Sequence, residues 1–227
     1  MQFLDRLKLE LEDLQEFLRG LPLNTPDCKV GDFGCEWGYT TLSLMLALNA
    51  AECVGIDKFT GKEFSPSLER AQQELDNVKA KVIAMSESSQ EDNLIGEIQN
   101  LLRKGRWPVF HQKDIVQSNS LPSGFDFSFC KLVLGNIYTG EYNNIIKGKD
   151  GVNLAIRNIA NSTKQDGVIC LVEKDTMNFT SFLQNARLTP VRICRISRGD
   201  IGTFGRLTSS VSIVNYVVYL CKKPLEE

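Results

Sequence analysis

The fold is decided by residues 28–57, which read CKVGDFGCEWGYTTLSLMLALNAAECVGID. The run 28–33 has the apolar character of a buried strand and leads into a glycine-rich turn. The run 39–49 is dense in leucine, methionine and alanine, which favours a helix packed on a sheet. A second short apolar strand, 52–57, ends in an acid. This order of strand, turn, helix and acid-tipped strand is typical of a nucleotide-type binding site in an α/β protein.

The turn carries glycines at the positions where the backbone has to bend. Gly34 and Gly38 allow a sharp turn and a close approach of the backbone to a ligand. The helix that begins near Gly38 points its free N–H groups into the same crevice. Asp57 follows Gly34 by 23 positions, close to the ~20 expected for a carboxylate that holds ribose hydroxyls. We therefore expect a ribose-bearing ligand at this turn.

Charges in the turn distinguish between two classes of ligand. The dinucleotide fingerprint G-x-G-x-x-G needs small residues beside a pyrophosphate, but Glu36 and Tyr39 stand where its second and third glycines would be. Glu36 would repel a pyrophosphate. S-adenosylmethionine has no phosphate and carries a sulfonium and an ammonium, toward which Asp32 and Glu36 are neutral to favourable. The sequence thus favours S-adenosylmethionine, with an NAD-type oxidoreductase as the less favoured alternative.

The remainder of the chain alternates predicted strands with predicted helices. This alternation predicts a largely parallel sheet with helices on both faces. Ser65 and Pro66 are interpreted as the N-cap and the first position of a helix. The two closing strands follow each other without a helix and are expected to be antiparallel. The predicted strands are 109–112, 125–131, 168–172, 191–196 and 211–221, and the predicted helices lie around 66–78, 94–103, 152–159 and 179–186.

Five segments resemble the motifs of the class I S-adenosylmethionine-dependent methyltransferases. The first resembles the motif D-x-G-x-G-x-G and departs from it at Glu36. The resemblance covers roughly residues 28–221. It implies an α/β, Rossmann-like sheet of seven mostly parallel strands with helices on both faces and the last strand antiparallel. The segments are VGDFGCEWGYTTLSL (30–44), ECVGIDKF (52–59), QKDI (112–115), FDFSFCKLVLGNI (125–137) and TKQDGVICLVE (163–173).

The resemblance also implies roles for individual residues of a cofactor site. Gly34 would accept a hydrogen bond from the methionine ammonium through its carbonyl oxygen, and Asp57 would bind the ribose diol. The adenine would be flanked by two residues after the second strand and would have its far edge near two residues after the third. The full set of implied cofactor residues is Asp32, Gly34, Glu36, Gly38, Asp57, Lys58, Phe59, Asp114, Ile115, Cys130 and Lys131, the last two lying under the methionine moiety.

Residues that contact the methyl acceptor are expected after the fourth strand, in the segment 135–150. Its candidates are Asn136, Tyr138 and Tyr142. Methyl transfer needs a nucleophile held in line rather than a dedicated base, so no catalytic residue is named, and the single histidine, His111, is interpreted as structural. A small-molecule acceptor is favoured because the chain has little beyond the core motifs, and a protein acceptor stays open. Glu36 motivates another alternative, a catalytically silent S-adenosylmethionine-binding regulatory module.

Leucines at positions 4, 7, 11, 14, 18 and 21 predict an amphipathic N-terminal helix. Steps of three and four residues place them on one face. We expect two parts, residues 1–26 as a helix packed on or capping the domain and residues 27–227 as the methyltransferase domain. Pro22 and Pro26 would end the helix.

The composition limits which binding partners and which cellular compartment are expected for this protein. A net charge of −2 gives no positive field that would attract nucleic acid, and no run approaches the length of a membrane span. The seven cysteines are odd in number and form no C-x-x-C pair. They predict reduced, buried thiols in a cytoplasmic protein rather than a disulfide framework or a metal site.

Overall fold

A computed structural model describes residues 3–18, 27–61, 66–85, 93–117, 121–140, 146–199 and 213–223. The chain divides into two compact units, residues 2–114 and residues 115–227. Tyr142 and the closing glycines Gly202 and Gly205 lie outside the described residues. No helix within the described ranges is both long enough and apolar enough to cross a membrane.

The described residues of the first unit form three parallel strands and four helices. Strand β2 lies between β1 and β3 and is parallel to both. Phe33 at the end of β1 is opposite Ile56 of β2, so the carboxyl ends of these strands meet at one edge. The elements are α1 (Phe3–Phe17), β1 (Lys29–Phe33), α2 (Tyr39–Ala47), β2 (Glu52–Asp57), α3 (Leu68–Ala84), α4 (Asn93–Arg103) and β3 (Val109–Gln112).

Helix α1 packs against α2 through its apolar face. The side chains of Leu7 and Leu14 are fully buried, and the hydroxyl of Ser43 in α2 donates a hydrogen bond to the Leu7 carbonyl oxygen. The predicted amphipathic helix is therefore confirmed for Phe3–Phe17. Helix α2 is buried on nearly all sides, which explains why its sequence is apolar all round rather than amphipathic.

In the second unit, the residues that the structure describes form four strands and three helices. Strand β5 pairs in parallel with β4, and β7 is antiparallel to both β5 and β6. The predicted antiparallel closing pair is confirmed. The elements are β4 (Phe125–Lys131), α5 (Leu134–Thr139), α6 (Gly148–Ser162), β5 (Thr163–Lys174), α7 (Thr180–Asn185), β6 (Thr189–Gly199) and β7 (Ile213–Lys222).

The predicted fold class is confirmed. The strands within the described residues are those of a seven-stranded sheet that is mostly parallel, and the last strand of the chain is antiparallel to its neighbours. β1, β2 and β4 are buried along most of their length, which accounts for their continuous apolar runs. The seven cysteines all lie in the described residues and form no disulfide; six are buried and Cys194 is partly exposed.

Two local predictions were wrong. The cap of α3 is Ser67, not Ser65, because the Ser67 hydroxyl accepts a hydrogen bond from the Arg70 N–H at 3.3 Å, and helical structure begins at Leu68. The segment 135–150 was expected to be a long loop, but its first residues belong to α5 and its last belong to α6.

Candidate cofactor site

The turn after β1 is built from three residues with left-handed backbone. Gly34, Glu36 and Gly38 have φ angles of 86°, 46° and 80°. The Gly34 N–H donates to the Ile56 carbonyl oxygen at 2.7 Å, and the Gly38 N–H donates to the Cys35 carbonyl oxygen at 2.8 Å. These bonds fasten the turn to β2 and to itself, so its shape is fixed by the backbone. Glu36 keeps the conformation that glycine adopts freely, at a cost of about 1 to 2 kcal/mol.

Gly38 also provides room for an aromatic side chain from β3. A Cβ atom at Gly38 would lie 2.3 Å from Cζ of Phe110 and 3.2 Å from Cδ1 of Leu75. Gly55 of β2 contacts the same ring, and a Cβ there would lie 2.5 Å from Cδ1 of Phe110. Two glycines thus admit one phenylalanine beneath the turn. The sequence predicted that the backbone at Gly38 approaches a ligand closely, and the close neighbour that the structure shows there is the Phe110 ring.

Asp57 links the end of β2 to the turn through both carboxylate oxygens. Oδ2 accepts a hydrogen bond from the Glu36 N–H at 3.2 Å, and Oδ1 accepts one from the Phe59 N–H at 3.1 Å. The residue is only partly buried, and each carboxylate oxygen has a second lone pair. This geometry suits a carboxylate that orders the turn and still accepts hydrogen bonds from a pair of hydroxyls.

Asp32 adds a buried negative charge beneath the turn. Its side chain is 2% exposed, and its Oδ2 accepts a hydrogen bond from the Thr41 hydroxyl of α2 at 2.7 Å. The pKa of the buried Cys35 thiol is raised, first by burial and then by the nearby Asp32 and Asp57. The Cys35 thiol thus lies close to the carboxyl groups of both Asp32 and Asp57.

The residues that follow β2 and β3 are brought together. The Lys58 ammonium forms an ion pair with Oδ2 of Asp114 at 2.8 Å. The Gln112 side-chain amide donates hydrogen bonds to the carbonyl oxygens of Lys58 and Phe59. Phe59 itself is 3% exposed and packs edge-to-face on Phe110, with ring centroids 6.0 Å apart. The segment after β2 is thus tied to the end of β3.

Aromatic residues of the turn are held from two sides. The guanidinium of Arg70 in α3 lies over the Trp37 ring, 5.2 Å from its centroid, and that of Arg6 in α1 lies 4.5 Å from the centroid of Tyr39. The Tyr39 hydroxyl donates to Glu74. Burial, followed by this hydrogen bond, raises the pKa of Tyr39, so the phenol stays protonated near neutral pH. His111 is exposed, so it is not packed in the core.

The remaining predicted cofactor residues lie in the second unit. Ile115 and Cys130 are buried, and Lys131 at the end of β4 is partly buried. The Ile115 carbonyl oxygen accepts a hydrogen bond from the Asn158 side-chain amide at 2.7 Å. The chain turns sharply after Lys131, where Leu132 has a φ of 60°.

Helix α5 carries the acceptor-side candidates that the structure describes. The Asn136 side-chain amide donates to the Leu132 carbonyl oxygen at 2.8 Å, and the Tyr138 side chain is 37% exposed. Tyr142 lies outside the described residues. Within those residues, no cluster of histidine, cysteine, aspartate and glutamate could hold a metal ion.

Glu173 was missed by sequence reasoning. It lies near the end of β5, is 3% exposed, and accepts hydrogen bonds from the Leu134 and Gly135 N–H groups at 2.7 Å and 3.3 Å. Burial raises its pKa to about 7, although these N–H groups act in the opposite direction. An acid ending an apolar strand was a visible signal, but nothing in the sequence pointed to its partner 38 residues earlier.

The raised pKa of Glu173 predicts a stability that falls with increasing pH. Below its usual pKa of 4.5, Glu173 is protonated in the folded and unfolded states, so its favourable contribution is fully present. The contribution is lost as the pH rises through about 7, which lowers the free energy of unfolding by roughly 2 to 4 kcal/mol. In urea unfolding at several pH values, the difference between Glu173→Gln and the natural chain should change by this amount. A difference independent of pH would contradict the prediction.

Comparison with known proteins finds solved structures with a similar fold but no protein of similar sequence. The sequence matches no family model and no curated protein. Among many similar solved structures, a putative methyltransferase from Bacillus halodurans C-125 has a TM-score of 0.60 at 10% identity, with 94% of this chain and 100% of that chain covered.

Two further solved structures illustrate the same likeness. An S-adenosylmethionine-dependent methyltransferase from Clostridium acetobutylicum has a TM-score of 0.54 at 12% identity, with 97% of this chain and 92% of that chain covered. Magnesium protoporphyrin IX methyltransferase from Synechocystis, solved with bound SAH, has a TM-score of 0.53 at 15% identity, with 97% and 87% covered.

The fold is therefore that of the Rossmann-like S-adenosylmethionine-dependent methyltransferases. The resemblance inferred from the five sequence motifs is confirmed at the level of the fold. Because identities this low carry the architecture alone, the chemistry has to be argued from the residues of the site.

Proposed function

We propose that this protein binds S-adenosylmethionine and transfers its methyl group in line to a small-molecule acceptor. One observation carries the proposal: Asp57 ends β2 with both carboxylate oxygens directed to backbone N–H groups, one of them in the acid-bearing turn after β1. This is the position at which an α/β sheet with this topology binds a ribose.

The chemistry of the turn fits a cationic, phosphate-free ligand. Residues 32–38 include the carboxylates of Asp32 and Glu36 and no basic side chain. A pyrophosphate there would face repulsion in a partly desolvated site, whereas a sulfonium or an ammonium would not. Lys58, which follows Asp57 directly, forms its ion pair with Asp114. The charge pattern therefore supports S-adenosylmethionine over a nicotinamide dinucleotide.

In this proposal the chain supplies binding and orientation rather than acid–base chemistry. The bound cofactor supplies a methyl group already activated by a sulfonium. Asp57 holds the ribose hydroxyls, and the Gly34 carbonyl oxygen accepts a hydrogen bond from the methionine ammonium. Asn136 and Tyr138 of α5 are the candidates for contact with the acceptor, whose nucleophilic atom has to lie in line at about 3 to 3.5 Å from the methyl carbon.

The type of acceptor and the compartment are inferred from the similar structures, the net charge and the cysteines. One of the structurally similar proteins is named for magnesium protoporphyrin IX, a small molecule, and the described residues form little beyond the sheet and its helices. A small molecule is thus favoured over a protein acceptor, and the formal charge of −2 gives no field for nucleic acid. The free, mostly buried cysteines fit a reducing compartment, the cytoplasm.

A catalytically silent S-adenosylmethionine-binding module is the second candidate. It is motivated by Glu36, which holds a left-handed backbone, φ 46°, at a position where the motif it resembles has glycine. Glu36 nevertheless donates its N–H to Asp57, so the turn is closed around the carboxylate with this residue in place. This hydrogen bond supports cofactor binding both for the methyltransferase and for the silent module. A turnover assay distinguishes the two candidates.

Calorimetry tests the proposal directly. Titrations with S-adenosylmethionine and with S-adenosylhomocysteine should both give saturable heat, and NADH at the same concentrations should give none. Product formation is then followed with methyl-labelled cofactor and a panel of hydroxyl-, amine- and thiol-bearing small molecules. Selective binding of NADH would refute the methyltransferase assignment, and tight cofactor binding without product from any acceptor, protein substrates included, would favour the silent module.

A further inference from the structure

Glu173 supplies the cap that the sequence of α5 lacks. The residue before the helix, Val133, makes no side-chain hydrogen bond to it, so the first N–H groups of the helix need acceptors from elsewhere. Glu173 Oε1 accepts from Leu134 at 2.7 Å and Oε2 accepts from Gly135 at 3.3 Å. A side chain on β5 thus performs the role that serine, threonine or aspartate usually performs next to the helix.

Burial makes Glu173 an energetically costly capping residue. A carboxylate on the surface could accept the same bonds, but Glu173 is 3% exposed, and burial of an ionised group is unfavourable unless its partners compensate. The charged and titratable neighbours are Lys174 on the same strand, whose charge lowers the pKa, and Tyr219 on β7. Burial raises the pKa of Tyr219, so its phenol stays protonated near neutral pH.

The helix that Glu173 holds is also fixed by close contacts on its other side. A Cβ on Gly151 of α6 would lie 2.8 Å from the Ile137 methyl carbon, so α5 packs tightly on α6. A Cβ on Gly135 would lie 3.2 Å from Glu173 Oε2. Helix α5 is therefore held between β5 and α6, with Asn136 and Tyr138 on it.

We propose that Glu173 is a positioning residue that fixes α5, and with it the acceptor-side residues, and that its protonation, with the carboxyl group still buried, weakens the hydrogen bonds to the first turn of this helix. The ionised carboxylate presents an acceptor to each of two N–H groups, whereas the neutral acid carries a hydrogen on one oxygen and weakens one of the two bonds. The link to the methyl acceptor rests on the proposed function. The attachment itself does not.

Nuclear magnetic resonance of the natural chain tests the attachment. Backbone amide signals are followed from about pH 5 to pH 9 with no ligand added. The Leu134 and Gly135 amide protons should shift together with a common midpoint near 7, and amide exchange over 134–139 should become about three- to tenfold faster below it, after correction for intrinsic pH dependence. Amides that do not shift, or that shift with a midpoint near 4.5, would overturn the proposal.

Two variants separate positioning from general stability. Glu173→Gln should abolish the pH dependence of both amide signals, while Glu97→Gln, an exposed glutamate on α4, should leave it intact. If Glu173→Gln does not fold, the titration of the natural chain decides alone. Persistence of the same titration in a folded Glu173→Gln variant would assign it to another group and refute the proposal.

A separate readout keeps this inference distinct from the proposed function. Glu173→Gln should bind S-adenosylhomocysteine within about twofold of the natural chain and, with an acceptor that turns over, should raise KM for that acceptor and remove its dependence on pH around 7. An unchanged KM with unchanged pH dependence refutes the positioning role alone. Absence of cofactor binding by the natural chain refutes the proposed function and leaves the amide titration to decide the attachment.

Discussion

Replacing Gly38 with alanine is expected to destabilise the fold by about 2 to 5 kcal/mol, the largest effect predicted for a single methyl group in this chain. The added Cβ would lie 2.3 Å from Cζ of Phe110 and 3.2 Å from Leu75, at a φ of +80° that alanine adopts poorly. The ring cannot swing away freely because Phe59 packs against it. Urea unfolding followed by circular dichroism measures the loss.

Gly105 provides the matched control for this substitution. It also has a left-handed backbone, φ +68°, but a Cβ there would meet nothing within 4 Å. Gly105→Ala should therefore cost only the backbone strain, about 1 to 2 kcal/mol. The excess at Gly38 measures the steric clash with Phe110. Equal costs at the two glycines would show that the ring moves aside easily and that Gly38 is not required for packing.

Asp57→Ala should weaken the binding of S-adenosylhomocysteine by roughly 5- to 150-fold, equivalent to about 1 to 3 kcal/mol. The substitution removes the charged acceptor proposed for the ribose hydroxyls. It also leaves the Glu36 and Phe59 N–H groups without the carboxylate that accepts from them, so the turn loses order as well as charge. Calorimetric titration of folded protein measures the change.

Two companion variants of Asp57→Ala separate these effects. Asp76→Ala removes an equal charge from an exposed position on α3 and should leave the affinity unchanged. Asp57→Asn keeps one oxygen acceptor without the charge and should bind with intermediate affinity. A folded Asp57→Ala variant with the affinity of the natural chain would remove this residue from the site and with it the main support for the proposed function.

The order and type of most elements could be predicted because they depend on local sequence. The runs at 52–57, 109–112 and 125–131 have the bounds of β2, β3 and β4. β2 and β4 are buried along most of their length, and a strand buried on both faces has a continuous apolar sequence. The left-handed turn followed from glycine chemistry at two positions. Glu36 was the difficult position, because the sequence shows that it departs from glycine but not that its backbone keeps the glycine conformation.

What could not be predicted depends on residues that are distant in sequence. Glu173 caps α5 from 38 residues away, and no local pattern distinguishes an acid that caps a remote helix from one that faces solvent. Helix α5 itself was missed because it is short and lacks a capping side chain of its own. Likewise, the space that Gly38 and Gly55 leave is filled by Phe110, a pairing that only the register of β2 and β3 establishes.

The placement of β7 has a consequence for how the polypeptide folds during its synthesis. β1, β2 and β3 emerge from the ribosome separately from the later strands, and each can pair with another strand of the same unit as soon as both have appeared. β6 cannot pair until β7 has been synthesised, because among the described residues its partner is β7. Strand β7 also pairs with β5, and both pairings are antiparallel. A nascent chain therefore carries β6 with an unsatisfied edge until β7 is made, and this interval is when self-association is most probable.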